Sequence, residues 1–164
     1  HAKATGEYYA RHSIPRRLWV RRPGPDHPAD GALPWRTDRD AIEDLPDPRK
    51  KPCHEKHHIF IPGARAYPGH TGSPLDEPAK TLKAGDHGVP GGENMLQFPN
   101  GQVRYFTLRE AARLQTFPDT YGFISCWTES MRQLGNAVPV KLGEVVACSV
   151  RDAILAGLTK SVRN

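Results

Sequence analysis

Several sequence signals of familiar protein classes are scarce or absent in this chain of 164 residues. It has three cysteines, Cys53, Cys126 and Cys148, which are too few and too widely spaced for a secreted disulfide framework. No apolar run approaches membrane-spanning length, and the first residues do not look like a signal peptide. The sequence therefore predicts a protein of a reducing compartment that is not inserted in a membrane.

The usual signs of a complete cofactor pocket are also missing. The chain has no G-x-x-x-x-G-K phosphate loop, no G-x-G-x-x-G turn, no nucleophile elbow and no metal-binding His-Glu pair on a predicted helix. Cys53, His54, His57 and His58 lie close together, but no second compact Cys or His pair follows to complete four zinc ligands. We interpret them as a surface histidine cluster and predict no metal site.

The overall composition favours a small, loop-rich domain with an anionic partner. Hydrophobic residues make up 37% of the chain and aromatic residues 8%, which predicts one small core. The formal net charge of +5 favours nucleic acid as a partner without specifying it. Fifteen glycines and sixteen prolines indicate that much of the chain is loop.

Three helices are predicted from capping residues and apolar spacing. Thr37 with Asp40, and Thr107 with Glu110, have the spacing of capping boxes, and each precedes a short apolar stripe. A third helix is predicted near the C-terminus, with Pro139 at its first position. Its apolar stripe consists of Leu142, Val145, Val146, Ser149, Ala153 and Ile154.

The remaining segments are predicted to be extended or irregular. Residues 1–36 form a basic, Pro/Gly-rich arm or linker, for which we weigh a solvated arm against a phosphate-contacting strand. Glycine and proline punctuate residues 59–100 and leave room only for short strands, such as 57–61 and 79–84. We therefore expect an α+β fold, in which an irregular β-platform carries a few helices, including an amphipathic C-terminal helix.

The stretch "RQLGNAVPVKLGEVVA", residues 131–146, enters the last helix through a Gly-Asn pair. If Pro139 begins the helix, Val138 occupies the capping position and its side chain accepts no hydrogen bond. The amides of the first turn are then free to receive a carboxylate or phosphate, with Asn136 as a nearby partner. The alternative is an Asn-centred turn before an amphipathic core helix.

Two segments resemble a known enzyme family. "RYFTLREAARLQTFPD" (104–119) and "RQLGNAVPVKLGEVVA" (131–146) resemble the last two motifs of the DNA (cytosine-5) methyltransferases, in the same order and spacing. The preceding "SPLDEPAKTLKAGDHGVPGGENML" resembles the end of that family's target-recognition region. The resemblance implies that residues 37–125 form the target-recognition region with the penultimate motif helix. Residues 126–164 would complete the cofactor domain.

The resemblance also implies particular contacts. Gly135, Asn136 and Ala137 would line the S-adenosylmethionine pocket. Parts of the recognition region would enter the major groove of duplex DNA, and the motif around Arg104 and Arg109 would organise the platform. The residues predicted to bind DNA are Lys80, Thr81, Leu82, Lys83, Asp86, His87, Gly88, Gly91, Gly92, Arg104 and Arg109.

No catalytic residue is predicted in this chain. In the family, the catalytic cysteine lies in Pro-Cys-Gln and the catalytic glutamate in Glu-Asn-Val, within a large cofactor domain. Pro52-Cys53 and Glu93-Asn94 mimic these motifs, but His54 replaces the glutamine and both pairs lie at the wrong places in the motif order. We therefore expect the chain to be inactive alone, with weak or no S-adenosylmethionine binding.

The sequence thus predicts the C-terminal DNA-recognition portion of a cytosine-5 methyltransferase of restriction-modification type. Its partners would be duplex DNA and a catalytic N-terminal portion, or a second copy bound through the C-terminal helix. The expected location is bacterial-type cytoplasm, in association with the nucleoid. Two alternatives are a stand-alone, non-enzymatic DNA-binding module and a protein-interaction subunit that does not touch DNA.

Overall fold

A computed structural model of the chain describes residues 10, 36–50, 56–84 and 94–161. The chain divides into two compact units, 1–36 and 37–164. Only residues 10 and 36 of the first unit are described, so the predicted arm lies almost entirely outside the described residues. The described elements of the second unit are α1 (Asp38–Ile42), β1 (Ser73–Pro74), β2 (Met95–Gln97), β3 (Val103–Tyr105), α2 (Leu108–Leu114), α3 (Trp127–Asn136) and α4 (Val140–Ser161).

The three strands form one mixed sheet in the order β1, β2, β3. β1 runs parallel to β2, with Ser73 beside Leu96, and β2 runs antiparallel to β3, with Leu96 beside Arg104. A tight turn joins β2 to β3, and Gly101 adopts a φ of +83° there, a value that favours glycine. The small sheet with several helices confirms the predicted α+β class.

Both predicted capping boxes are present, which confirms the starts of α1 and α2. The Thr107 hydroxyl accepts a hydrogen bond from the Glu110 amide at 3.2 Å, and the Glu110 carboxylate accepts one from the Thr107 amide at 2.9 Å. Thr37 and Asp40 make the same reciprocal pair before α1. These four residues act locally, which is why their spacing alone predicted the two helices.

The core lies where α2 meets the sheet and its neighbouring helices. α2 packs against both α1 and α3, and its small residues Ala111 and Ala112 are fully buried at these contacts. The buried hydrophobic residues of this cluster are Ile42, Leu82, Leu96, Phe106, Leu108, Ala111, Ala112, Met131 and Leu134. The cluster joins the predicted recognition region to the segment before α4, because Leu82 and Leu134 belong to the same core.

Helix α3 was not predicted. Trp127, Met131 and Leu134 recur at helical spacing, and the last two are buried in the core. Consequently, Gly135 and Asn136 occupy the last turn of α3, and the chain leaves the helix at Ala137. The alternative of an Asn-centred turn before the last helix was therefore wrong.

The predicted strands at 57–61 and 79–84 do not form. In each segment, a different partner takes a backbone group that a neighbouring strand would otherwise bind. The His57 carbonyl accepts a hydrogen bond from the Arg109 amide, and the Lys83 backbone is bound by the Asn94 side chain. The residues of β2, which follow Asn94, were not predicted as a strand.

The last helix, α4, begins at Val140, one residue later than predicted, and extends to Ser161. The Pro139 carbonyl accepts the hydrogen bond from the Gly143 amide at 3.0 Å, so Pro139 takes the capping position. None of the described helices is both long and apolar enough to cross a membrane.

Candidate nucleic-acid and cofactor interface

A buried ion pair fixes β3 to α2 in the region that resembles the penultimate motif. Two nitrogens of the Arg104 guanidinium donate to the two Glu110 carboxylate oxygens, both at 2.6 Å. Both side chains are buried, and Glu110 also closes the capping box of Thr107. One glutamate therefore stabilises the start of α2 and balances a buried arginine.

His58 extends this network into the loop before β1. Its Nε2 lies 2.7 Å from the Pro46 carbonyl, which can only accept, so Nε2 carries the hydrogen. In the neutral ring, Nδ1 then accepts from the Thr107 hydroxyl, 2.8 Å away. The ring is completely buried, so assigning His58 to a surface cluster was wrong.

The segment containing His54, Glu55 and His58 has the H-E-x-x-H spacing that binds zinc when it lies on one helix. The φ of His57 is +65°, which is incompatible with a helix, and both nitrogens of His58 already have partners. Within the described ranges, no group of three or more His, Cys, Asp or Glu side chains could hold a metal ion. Cys53, His54 and Glu55 lie outside those ranges.

Arg109 is also directed into the protein. Its guanidinium donates to the backbone carbonyls of Lys56, Pro118 and Tyr121 at 3.3, 3.4 and 3.0 Å, and the residue is only 2% exposed. Arg104 is similarly committed to Glu110. Contact between these two arginines and DNA stays a prediction, and their burial favours the organising role that the resemblance also implies.

The residues predicted to contact DNA begin with the segment Lys80–Ala84, which we call the recognition segment. Lys80, Thr81 and Lys83 are exposed in this segment, whereas Leu82 is buried in the core. The Ser73 hydroxyl accepts a hydrogen bond from the Lys80 amide at 3.0 Å. The segment is therefore anchored by its middle and presents two lysines outward. The other residues predicted here, Asp86, His87, Gly88, Gly91 and Gly92, lie outside the described residues.

The junction between α3 and α4 is held by the end of α2. The Gln115 side-chain amide donates to the Leu134 carbonyl at 2.9 Å, and the Gln115 carbonyl accepts from the Val140 amide at 3.0 Å. The Thr116 hydroxyl accepts from the Lys141 amide at 2.9 Å. These two helix-start amides are satisfied within the chain, so the prediction that they are free for an anion was wrong.

The three residues expected to line an S-adenosylmethionine pocket differ in what they can offer. Asn136 is exposed at the end of α3, and its side-chain amide makes no hydrogen bond within the described residues. That amide can donate and accept, so it fits the carboxylate and hydroxyl groups of the cofactor. Gly135 faces the backbone of Ala84. The Ala137 carbonyl lies 3.5 Å from the side-chain amide nitrogen of Gln115. Asn136 is therefore the residue best placed to contact a ligand.

Helix α4 carries an apolar face that nothing in the described part of the chain covers. Its large hydrophobic residues are about half exposed, with Val146 and Val150 each at 54%. The exposed large hydrophobic residues on this helix are Val140, Leu142, Val145, Val146, Val150, Ile154, Leu155 and Leu158. At about 100° per residue, five of them share one side of the helix and form its apolar face: Leu142, Val145, Val146, Val150 and Ile154. Exposed apolar surface of this extent is typical of an interface.

Asp38 is a buried acid that sequence analysis missed. Neither of its carboxylate oxygens has a hydrogen-bond partner among the described residues, and Asp38 is completely buried. Burial raises the pKa of Asp38 to about 8, and the negative charge of Glu110 adds to this effect. Its position in a helix first turn, where acids are common, gave no sign of burial.

Comparisons with known proteins agree on one family. The family described as "C-5 cytosine-specific DNA methylase" matches residues 48–151. The Type II methyltransferase M.AplI of Arthrospira platensis is 40% identical over 78 residues, which are 47% of this chain and 23% of that protein. The Type II methyltransferase M.BsuRI of Bacillus subtilis is 31% identical over 167 residues, covering 87% of this chain and 37% of that protein.

A third relative, the Type II methyltransferase M.NgoFVII of Neisseria gonorrhoeae, is 48% identical over 64 residues, or 39% of this chain and 16% of that protein. The chain thus spans less than two fifths of the length of each of these relatives. The family match covers well over half of the chain and includes both motif segments. The chain belongs to the C-5 cytosine-specific DNA methylase family.

Proposed function

We propose that this chain is the C-terminal, DNA-recognising portion of a cytosine-5 DNA methyltransferase of restriction-modification type. The observation that carries the proposal is the joining of the two motif segments. Gln115, at the end of α2, bonds to both Leu134 and Val140 on either side of the Gly-Asn-Ala segment. The recognition segment shares the same core through Leu82. DNA recognition and cofactor contact would therefore be supplied by one framework.

The chemistry implied by the family needs parts that we do not assign to this chain. A cysteine thiolate attacks cytosine C6, a glutamate assists at the ring nitrogen, and the base is first flipped out of the duplex. S-adenosylmethionine, when bound, supplies the methyl group for C5. In our proposal, residues 37–125 position the DNA and residues 126–164 complete the cofactor domain, where the Asn136 amide would orient the methyl donor.

The exposed face of α4 is where we place the catalytic portion. A row of valines and leucines that is about half exposed costs free energy in water, and covering it on assembly would regain that energy. The helix starts three residues after Ala137, so docking it would bring Asn136 close to the catalytic portion. A second copy of the chain is the competing occupant, and light scattering of the chain alone distinguishes it.

Methyl transfer by the separated and mixed portions tests the proposal. We expect neither this chain nor the catalytic N-terminal portion alone to methylate duplex DNA, whereas their mixture should incorporate labelled methyl groups. Omitting S-adenosylmethionine from the mixture is the control. DNA binding without restored methylation would instead support a stand-alone recognition module, and unchanged duplex migration at low salt would support an interaction subunit.

Replacing Val146 with glutamate is expected to weaken assembly with the catalytic portion while leaving the folding of the chain intact. Val146 is already half exposed, so the free energy of unfolding of the isolated chain should change by less than about 0.5 kcal/mol. Methyl transfer by the mixture should fall at least about tenfold, because the charge would be buried at the interface.

The matched control is Glu144→Gln, since residue 144 lies on the opposite side of α4 from residue 146. Unfolding by urea and the concentration of chain that half-saturates activity are the two measurements. An unchanged half-saturating concentration for Val146→Glu would exclude this face as the docking surface.

A further inference from the structure

Gly135 contacts the recognition segment more closely than any side chain would allow. A Cβ atom built on Gly135 would lie 2.6 Å from the Lys83 carbonyl carbon and 2.9 Å from the Ala84 Cα, and closer still to the Ala84 nitrogen. All three are backbone atoms, so trimming a neighbouring side chain would not relieve the overlap. Helix α3 and the recognition segment therefore meet backbone to backbone at this residue.

The same point of the recognition segment is also held by the side chain of Asn94. The buried Asn94 side chain accepts a hydrogen bond from the Lys83 amide at 3.1 Å and donates one to the Lys83 carbonyl at 3.0 Å. Together with the burial of Leu82 one residue earlier, these contacts fix the end of the recognition segment. Lys83 keeps its side chain exposed while its backbone is enclosed.

We propose that Gly135 is a positioning residue for DNA recognition: its missing side chain lets α3 seat the Lys83–Ala84 backbone, which sets the direction of the recognition segment. The part of this proposal that concerns DNA recognition rests on the proposed function. It assigns Gly135 a role different from that of its neighbour Asn136, because the side of Gly135 where a side chain would project is filled by protein. Gly135 would act through Lys83 and would touch neither DNA nor cofactor.

Helix propensity cannot produce the effect that we expect from Gly135→Ala. Alanine is favoured over glycine inside a helix by about 1 kcal/mol, so on that basis alone the change would stabilise α3. Gly157 supplies the matched control, since it also lies in a helix and a Cβ there would meet nothing within 4 Å. If Gly135→Ala weakens protection of the Lys83 amide or DNA binding and Gly157→Ala does not, the effect comes from the contact with the recognition segment.

The first measurement uses the chain alone and does not depend on its function. Hydrogen exchange at the Lys83 amide should become at least about tenfold faster in Gly135→Ala and should be unchanged in Gly157→Ala. The Gln115 amide, bonded to Ala111 within the core, reports unfolding of the whole unit and should change much less. Equal acceleration at both amides would overturn the proposal, because Gly135 would then only support the fold.

The second measurement uses the mixture with the catalytic portion and plasmid DNA. We expect Gly135→Ala to raise the KM for plasmid DNA at least about tenfold while the KM for S-adenosylmethionine stays within about twofold. A raised KM for S-adenosylmethionine with an unchanged KM for DNA would make Gly135 a cofactor residue and overturn the proposal. If the unaltered mixture does not methylate, the proposed function fails, and the exchange measurement still decides the role of Gly135.

Asn94→Ala provides a second route if Gly135→Ala does not fold. It releases the Lys83 backbone without introducing any overlap, and Gly135 stays in place. We expect the same pattern of faster exchange at Lys83 and a raised KM for plasmid DNA alone. Unchanged exchange at Lys83 and an unchanged KM for DNA would contradict the proposed positioning of the recognition segment.

Discussion

Replacing Glu110 with glutamine is expected to lower the free energy of unfolding of the chain by about 3–5 kcal/mol. The change leaves the buried Arg104 guanidinium without its balancing charge, and a buried unpaired cation is strongly destabilising. Glutamine can still take part in the capping box with Thr107. The loss of stability therefore reflects the broken ion pair more than a weakened helix cap. Urea unfolding followed by circular dichroism measures it.

Two further variants make the test specific. Glu129→Gln removes an exposed partner of Arg132 on α3 and should leave the urea midpoint unchanged. Adding Arg104→Met to Glu110→Gln should restore much of the lost stability, since the double variant leaves no buried, unpaired charge. A loss below about 1 kcal/mol for Glu110→Gln would show that the pair does not fix β3 to α2.

Replacing Asp38 with asparagine is expected to remove a pH dependence from the stability of the chain. The pKa of Asp38 is raised to about 8 in the folded chain, against 3.8 as its ordinary value. Between these values the folded chain holds a proton that the unfolded chain has released, so raising the pH favours unfolding. The free energy of unfolding should therefore fall by about 1.4 kcal/mol for each pH unit across this window.

The variant isolates the contribution of Asp38 from those of other titrating groups. Asp38→Asn should match the unaltered chain near pH 4 and exceed it in stability by several kcal/mol near pH 8, by the same relation of about 1.4 kcal/mol per pH unit. Asp47→Asn is the control, because Arg49 lowers the pKa of Asp47 to about 2 and places its effect below this window. Parallel pH profiles for Asp38→Asn and the unaltered chain would contradict the burial of this acid.

The charges of Glu110 and Asp38 should also influence each other. The charge of Glu110 contributes to the raised pKa of Asp38, so removing that charge lowers the cost of ionising Asp38. The pH dependence should accordingly be weaker in Glu110→Gln than in the unaltered chain. The same urea titrations measure this coupling without a further variant.

Features fixed by neighbouring residues could be predicted from the sequence. Thr107 with Glu110 and Thr37 with Asp40 contact each other across three positions, so their spacing was sufficient to place two helices. The stripe from Leu142 onward predicted α4 for the same reason. The spacing of Trp127, Met131 and Leu134 is also helical, so α3, which was not predicted, could have been predicted from this local pattern.

Features fixed by distant residues could not be predicted. The sequence places Asn94 beside Glu93, where it mimics a catalytic motif, yet its amide binds the Lys83 backbone eleven positions away. His58 was predicted to lie on the surface, but its ring is buried and both of its nitrogens are bound, by Thr107 and Pro46. The role of Gly135 depends on Ala84 approaching α3, and no local pattern encodes that approach. Contacts of this kind depend on how distant segments pack, which local spacing does not encode.

The central claim is that this chain recognises DNA while a separate catalytic portion carries the catalytic cysteine. A covalent trap tests this claim most directly. A duplex carrying 5-fluorocytosine arrests the enzyme while its cysteine is bonded to C6. In the mixture of the two portions with S-adenosylmethionine, we predict that the trapped DNA is bonded to the catalytic portion and that this chain is released on denaturation. Trapped DNA on this chain, at Cys53, would contradict the account.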